Sequence, residues 1–412
     1  MTTPQHLDQL AERYVRLVLS IGVHDADFVD AYYGPEEWRR DAARDQDGLA
    51  VISERAEALR DALDGFSPSG LEAPSVLRLE YLRRQVAAAV ARTRMLQGTR
   101  YSFDDEARAL YDVKPPVFPE EHFASLVNDV GKLLPGSGSG EVHERFERFK
   151  NHFVIPPAKL TRVFDAAIAE GRTRSAAHLT LPPGEHFSVE YVTGKPWSGY
   201  NWYKGNATSV IQMNVDFPIT IDRAIDLACH EGYPGHHVYN SILEVKLVRE
   251  RKWQEFTIYA LFSPQSLIAE GTANFGIAMA FPGEERVAYE REVLFPLAGI
   301  DPARAESYYA VHALVQRLAY AGNEAARHYL NGQMPRAQAA DWLVRYALMS
   351  PERAEQRTHF FDKYRSYVIN YNLGQDLVQE SIERRGGTVD NPERRWKLFG
   401  ELLSSPRIPS TL

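Results

Sequence analysis

The chain lacks the features that would place it in several large classes. Its single cysteine, Cys229, among 412 residues excludes a disulfide framework. No run of about 18 apolar residues occurs, so no membrane-spanning helix is expected. Basic residues are in deficit, with 47 Lys and Arg against 55 Asp and Glu, a net charge of −8. That balance argues against nucleic acid as a partner, because a phosphate backbone is met by a basic face. The opening M-T-T-P-Q-H-L-D-Q has neither the basic n-region nor the apolar h-region of a secretory signal, so a cytoplasmic protein with no membrane partner is expected. The Gly- and Ser-rich stretch 134–140 is followed by no G-x-x-x-x-G-K-[ST] pattern. It reads as a flexible loop and lobe boundary rather than a phosphate cradle. No internal repeat is visible.

What is present is core material in helical register. Hydrophobic residues make up 44% of the chain, enough for a large core in a chain longer than one typical domain. Leu7, Leu10, Tyr14, Leu17 and Val18 recur at three- and four-residue steps and predict an amphipathic first helix. Residues 47–64, 75–97 and 156–178 read the same way, as do 219–231, 238–251 and most of 264–380. Strand character is confined to 187–216, where F-S-V-E-Y-V and A-T-S-V-I-Q-M-N-V flank Gly-, Pro- and Trp-rich turns. The expected fold is mainly α with a small β-sheet before the 219–231 helix. The expected organisation is a helical N-terminal lobe over 1–134 and a second lobe over 141–412, or one continuous domain.

Residues 229–239 read C-H-E-G-Y-P-G-H-H-V-Y and gather three of the chain's 13 histidines. His230, Glu231, His236 and His237 are the side-chain types that hold a divalent zinc ion and handle the proton of a nearby water. The spacing is not that of H-E-x-x-H, because Pro234 stands where the second histidine would be. On a regular helix His230 and His236 point about 120° apart, and His237 lies about 10 Å along the axis from His230. Neither distance suits two bonds of about 2 Å to one ion. Pro234, however, interrupts helical hydrogen bonding, Tyr233 before it is pushed out of helical geometry, and Gly235 tolerates unusual dihedrals. A bulge at 233–235 can therefore swing His236 back toward His230. The alternative is a plain helix end with surface histidines. Cys229 reads as a small buried helix residue.

A catalytic zinc site usually takes three protein ligands, and Glu270 in S-L-I-A-E-G-T-A-N-F-G is the candidate third. It stands in a run of apolar and small residues, where an ionised carboxylate is costly unless paired or bound to a cation. Asn274, four residues on, is placed to hydrogen-bond a ligand histidine. The alternative is a glutamate in a first helical turn after Ser263-Pro264.

H-E-G-Y-P-G-H-H followed by E-G-T-A resembles a large, mostly bacterial family catalogued as a domain of unknown function and grouped with the gluzincin metallopeptidases. It is also similar in kind to dipeptidyl-peptidase III, which has an expanded zincin motif. The similarity runs from about Val189 through Leu377. It implies a mostly helical gluzincin-like architecture and one zinc per chain. It also implies His230, His236 and Glu270 as ligands and Glu231 as general base, with His237 the more variable of the histidine pair. Thr272 departs from the family pattern, which has a bulky aromatic there, and this puts the shape of the substrate pocket in question.

Late in the chain, Y-R-S-Y-V-I-N-Y places Tyr364, Tyr367 and Tyr371 at i, i+3 and i+7, one helix face if the helix is continuous. Tyr371 is the candidate for stabilising an oxyanion, and Arg365 and Tyr367 the candidates for substrate contact. An aromatic stripe at this spacing is also ordinary core. The expected function is a zinc metallopeptidase acting on a peptide or small amide substrate, with Glu231 as the base. The alternatives are a hydrolase of a non-peptide amide or ester, and a binding protein on a zincin scaffold.

Overall fold

Leu7, Leu10, Tyr14, Leu17 and Val18 form the buried face of the helix Thr3–His24, which packs on the helices Leu49–Asp64 and Ala73–Leu96. The computed structural model describes residues 3–136 and 140–412; residues 137–139 of the expected loop lie outside the described residues. The described chain is 67% helix and 7% strand, so the molecule is of the mainly α class. No described helix is long and apolar enough to cross a membrane.

The helix Pro264–Ala280 is the centre of the fold. Fourteen of its 17 residues are buried, the condition of a helix with neighbours on all sides rather than one apolar stripe. Its closest partner is the helix Ile369–Arg384. The two approach through glycines. A Cβ on Gly271 would overlap the backbone of Gly374, and one on Gly374 would come within 2.6 Å of the Leu267 carbonyl oxygen. Only glycine lets these backbones approach so closely.

Three strands form the sheet that precedes the histidine motif. β1 (Val29–Tyr32) and β5 (Ile258–Ala260) make a separate antiparallel pair, too short to be marked in the sequence. β2 (His186–Val192), β3 (Gly199–Tyr203) and β4 (Thr208–Asn214) form a sheet of order β2-β4-β3. β2 runs parallel to β4, with His186 opposite Thr208, and β3 runs antiparallel to it, with Tyr203 opposite Ser209. The sequence marks β2 and β4. It reads β3 as part of a turn-rich linker, because glycine and bulky aromatics obscure its period.

Two apolar clusters organise the core. One joins the N-terminal helices (Tyr14, Leu82) to Leu267, Phe361 and Phe399. The other joins Phe153 and Phe164 to Met213, Ile225 and Phe295. The histidine motif passes from one to the other: Ala228 and Cys229 belong to the second cluster, Tyr233 and Val238 to the first. A cavity of about 1290 Å³ is lined from both sides, by Phe360 and Tyr367 of one and Phe281 and Tyr308 of the other. That is room for several residues of an extended ligand.

The glycine crossing generates the first prediction. Gly271→Ala and Gly374→Ala each force the two central helices apart, so each should destabilise the fold by about 1–3 kcal/mol, the usual cost of overpacking. Chemical denaturation followed by circular dichroism measures it. Midpoints unchanged from the parent protein would show that the crossing is loose.

Candidate metal centre

The residues around His230 depart from a regular helix in three steps. The α-helix Asp222–Leu227 widens into a π-helical turn over Ala228–Gly232, closed by the Tyr233 amide donating to the Ala228 carbonyl at 3.1 Å. A single π-turn of this kind is common at functional sites. Tyr233 is then extended, the Tyr233–Pro234 peptide is cis, and the Gly235 amide donates to the Cys229 carbonyl at 2.9 Å. A new helix begins at His236 and runs to Leu243. Gly235 sits so close under the preceding turn that a Cβ there would overlap the carbonyl oxygens of Cys229 and His230. Thus the 219–231 helix expected from the sequence ends in a widened turn, and the break falls at the expected 233–235.

This break brings residues six apart together. His230 Nε2 and His236 Nε2 lie 3.2 Å from each other, and Glu270 Oε2 lies 3.2 Å from the first and 3.7 Å from the second. The ligand atoms of His230, His236 and Glu270 all fall within 4.8 Å of one another. Their side chains retain 13, 12 and 8% exposure, and all three line the cavity. Glu270 stands in the second turn of its helix, so the dipole of a first turn does not account for it.

The partners of these groups aim them. His230 Nδ1 meets Asn274 Oδ1 at 2.8 Å, and Asn274 Nδ2 donates to the Tyr371 carbonyl at 2.7 Å, which fixes the amide and leaves His230 Nε2 directed at the cluster. Tyr367 donates its hydroxyl to Glu270 Oε1 at 2.7 Å. Glu270 Oε2, facing the histidines, is buried and accepts no hydrogen bond. Burial opposes charge on both sides of the cluster, yet the imidazoles hold Glu270 well below the usual carboxylate range. Against the same burial, Glu270 and Glu231 raise the His230 pKa to about 9. Two imidazole nitrogens and one orphaned carboxylate oxygen are the donor set of a zinc site, so these residues fit the metal.

His237, one residue on, belongs elsewhere. It is fully buried, with Nδ1 at 2.9 Å from Ser209 Oγ on β4 and Nε2 at 3.0 Å from Glu185 Oε2. Glu185 also accepts from the Tyr233 hydroxyl and from Arg172, at 2.5 Å and 2.7 Å. This network ties the far side of the break to the sheet. The sequence shows no sign of it, because Glu185 lies 52 residues from His237.

Glu231 points into the cavity wall beside the cluster. It is 4% exposed, and its backbone carbonyl accepts from Asn201 of β3 at 2.8 Å. Gly199, also on β3, makes room: a Cβ there would lie 2.7 Å from Glu231 Oε1. Burial raises the pKa of Glu231, while His230 and His236 pull the other way.

The tyrosine segment differs from expectation. The helix Pro351–Tyr364 stops at Arg365, which has φ +50°, and a 3-10 turn, Arg365–Val368, leads into the helix Ile369–Arg384. Tyr364, Tyr367 and Tyr371 therefore do not share one helix face, although all three line the cavity. Tyr367 is engaged with Glu270 rather than left open to a substrate. Arg365 is not a cavity residue: its turn directs it to buried Glu106, 2.6 Å away, which also accepts from the Ser366 amide and hydroxyl. Tyr371 remains at the site, its ring 6.3 Å from that of His230. Burial and the nearby Glu270 carboxylate keep its phenol protonated and so a donor. Thr272 is buried and bonds back to Ile268 and Ala269 of its own helix, away from the cavity.

A second trio of ligand-type side chains, Asp222, Asp226 and His312, lies on the same cavity wall. Its charge is already met. Arg286 and Arg223 reach Asp226 at 2.8 and 3.3 Å, and Tyr308 and His312 engage Asp222 at 2.5 and 3.2 Å. Two guanidiniums beside the trio disfavour a further cation.

No protein-family model matches the chain, and no curated protein matches it in sequence. Among solved structures, the chain is similar to one described as "the putative lipoprotein from Colwellia psychrerythraea", at 15% identity and a TM-score of 0.55 over 93% of this chain and 76% of that one. A second, described as "a putative lipoprotein of unknown function from Shewanella oneidensis", gives 12% identity and 0.45 over 90% and 74%. Trypanosoma cruzi metallocarboxypeptidase 1 gives 11% identity and 0.38 over 100% and 94%. The Colwellia likeness is one of fold.

The geometry sets out how metal content responds to substitution. Purified protein should carry about one zinc per chain. His236→Ala should lose it, and Gly235→Ala should lose it too, because a side chain there reopens the break. His237→Ala should keep zinc while lowering stability. Elemental analysis beside a thermal melt distinguishes these; zinc retained in His236→Ala and lost in His237→Ala would reverse the ligand assignment.

Proposed function

We propose that the protein is a zinc-dependent peptidase whose metal is held by His230, His236 and Glu270. The observation that carries this reading is the convergence of two imidazole nitrogens on a carboxylate oxygen that accepts no hydrogen bond, on the wall of a cavity large enough for a peptide. Bound there, zinc supplies Lewis acidity that polarises a carbonyl and makes water acidic enough to attack near neutral pH.

The protein's own residues supply the rest. Glu231, next in sequence to a ligand and lining the same cavity, takes the proton of the attacking water on its carboxylate and passes it to the leaving amine. Its burial suits that task, since a desolvated carboxylate is a stronger base than a hydrated one. Tyr371, a protonated phenol lining the cavity beside His230, can donate to the oxygen that gains charge as the carbonyl is attacked. Asn274 and Tyr367 hold His230 and Glu270 in place.

The sheet favours a peptide over a compact ester or amide. β3 is an edge strand, and its residues Gly199, Tyr200 and Asn201 line the cavity beside Glu231. An extended chain laid along such an edge gains main-chain hydrogen bonds regardless of its side chains.

Glu231→Gln tests the reading. The amide keeps size and hydrogen bonding but loses basicity, so zinc content and melting behaviour should match the parent. Hydrolysis of a mixed peptide library, read by mass spectrometry, should fall by about a hundredfold or more. Loss of zinc would make Glu231 a ligand, and an unchanged rate would place the chemistry elsewhere. A parent protein that binds zinc fully and cleaves esters or small amides but no peptide would favour the non-peptide hydrolase.

A further inference from the structure

One wall of the cavity carries two guanidiniums that, among the described residues, have no carboxylate within ion-pair distance. The helix Pro351–Tyr364 presents Arg353 and Arg357 four residues apart, on one helix face, and both line the cavity. The Arg357 guanidinium lies 4.3 Å from the centre of the Phe360 ring and 5.7 Å from that of Phe361. Among the described residues it has neither a carboxylate partner nor a hydrogen-bond acceptor. Arg353 lies over Phe217 at 4.9 Å, and among the described residues its guanidinium donates to the Pro218 carbonyl alone, at 3.2 Å. Two other cavity arginines are matched, Arg286 with Asp226 and Glu290 and Arg223 with Asp226, while Arg317 lies exposed at the cavity's edge.

A half-buried guanidinium that no protein acceptor engages keeps its planar set of donors free for a ligand in the cavity. Burial lowers the pKa of both Arg353 and Arg357; at Arg353 the nearby Arg223 adds to this while Glu147 and Asp222 oppose it, and at Arg357 Tyr371 opposes it. Such a site is completed by an anion. The planar fork of arginine matches a carboxylate with two parallel hydrogen bonds, and a ring beneath it holds that plane ready. Arg357 is also within electrostatic reach of Tyr371, whose ring is 6.3 Å from that of His230. A carboxylate held by Arg357 therefore lies on the Tyr371 side of the candidate zinc site.

We infer that Arg357, flanked by Arg353, binds a substrate carboxylate, the free α-carboxylate of a peptide's last residue, so that cleavage occurs at the C-terminal end of short peptides. The inference rests on the zinc-peptidase reading for its cleavage step but not for its binding step. Asp30 and Tyr200, bonded to each other on another part of the cavity wall, offer a carboxylate no comparable cation.

The experiment has a binding arm and a cleavage arm, both on zinc-loaded protein. In calorimetry, N-acetyl-phenylalanine should bind at least about tenfold more tightly than its amide, the scale of one charge-assisted contact. Arg357→Ala should bring that ratio to about one, and Arg357→Lys should keep part of it. In the cleavage arm, kcat/KM for a short peptide with a free C-terminus should exceed that of its C-terminal amide by about a hundredfold, and the ratio should collapse in Arg357→Ala. Amidated peptides ending in Glu or Gln separate the two sources of a carboxylate: a preference restored by Glu would assign the site to an acidic side chain and overturn the α-carboxylate. Equal binding of acid and amide by the parent protein would overturn the inference. So would an equal loss for both in Arg357→Ala, which would mark a structural role. Cleavage that ignores the C-terminus would sink the inference and leave the zinc peptidase standing. An Arg357-dependent preference for the acid, with no peptide cleaved, would uphold the carboxylate site and remove the peptidase.

Discussion

A carboxylate in the middle of an apolar helix has to be compensated, and much of the structure around Glu270 answers that requirement. Its helix is buried on nearly all sides, so little water reaches the charge. Tyr367 meets one oxygen and leaves the other bare toward two imidazoles. Those imidazoles come from a segment that could not present both of them as a regular helix. The break at 233–235 exists at a cost in helical hydrogen bonds, and the convergence of His230, His236 and Glu270 is what it achieves. The convergence of these three side chains and a regular helix conflict here, and the backbone yields.

The surroundings keep that break in one shape. Gly235 fits beneath the carbonyls of Cys229 and His230 where no other residue would. Glu185, reached by His237, Tyr233 and Arg172, ties the segment to the sheet. Gly271 and Gly374 let the helix of Glu270 lie against the helix that carries Tyr371, and Asn274 bridges them by bonding His230 on one side and the Tyr371 backbone on the other. Candidate ligand, orienting group and candidate oxyanion donor are thus held by packed helices rather than loops, the arrangement that gives a site its precision. The cavity separates two kinds of wall: acids and imidazoles at the candidate zinc site, and on the helix Pro351–Tyr364 guanidiniums with no carboxylate at ion-pair distance among the described residues. A substrate with a polarisable carbonyl near one end and a negative charge at that end meets both.

The sequence by itself determined the helical class, the amphipathic first helix, two of the three strands before the motif and the location of the break. Each of these is a local matter: apolar spacing sets the buried face of a helix, and Pro234 and Gly235 disturb a helix wherever they stand. It also marked Glu270 as anomalous, since a lone acid in an apolar run signals itself without tertiary information. Tertiary structure decided the rest, because it depends on what lies across the space. His236 and His237 are adjacent and chemically identical; only the direction in which the chain re-enters a helix turns one toward Glu270 and the other toward Glu185 and Ser209. Arg365 and Arg357 are both arginines among aromatics; a positive φ at Arg365 sends it to buried Glu106, while Arg357 stays on the cavity wall with no carboxylate partner among the described residues. Charge compensation between residues far apart in the chain leaves no local trace, and here it separates the residues at the site from those beside it.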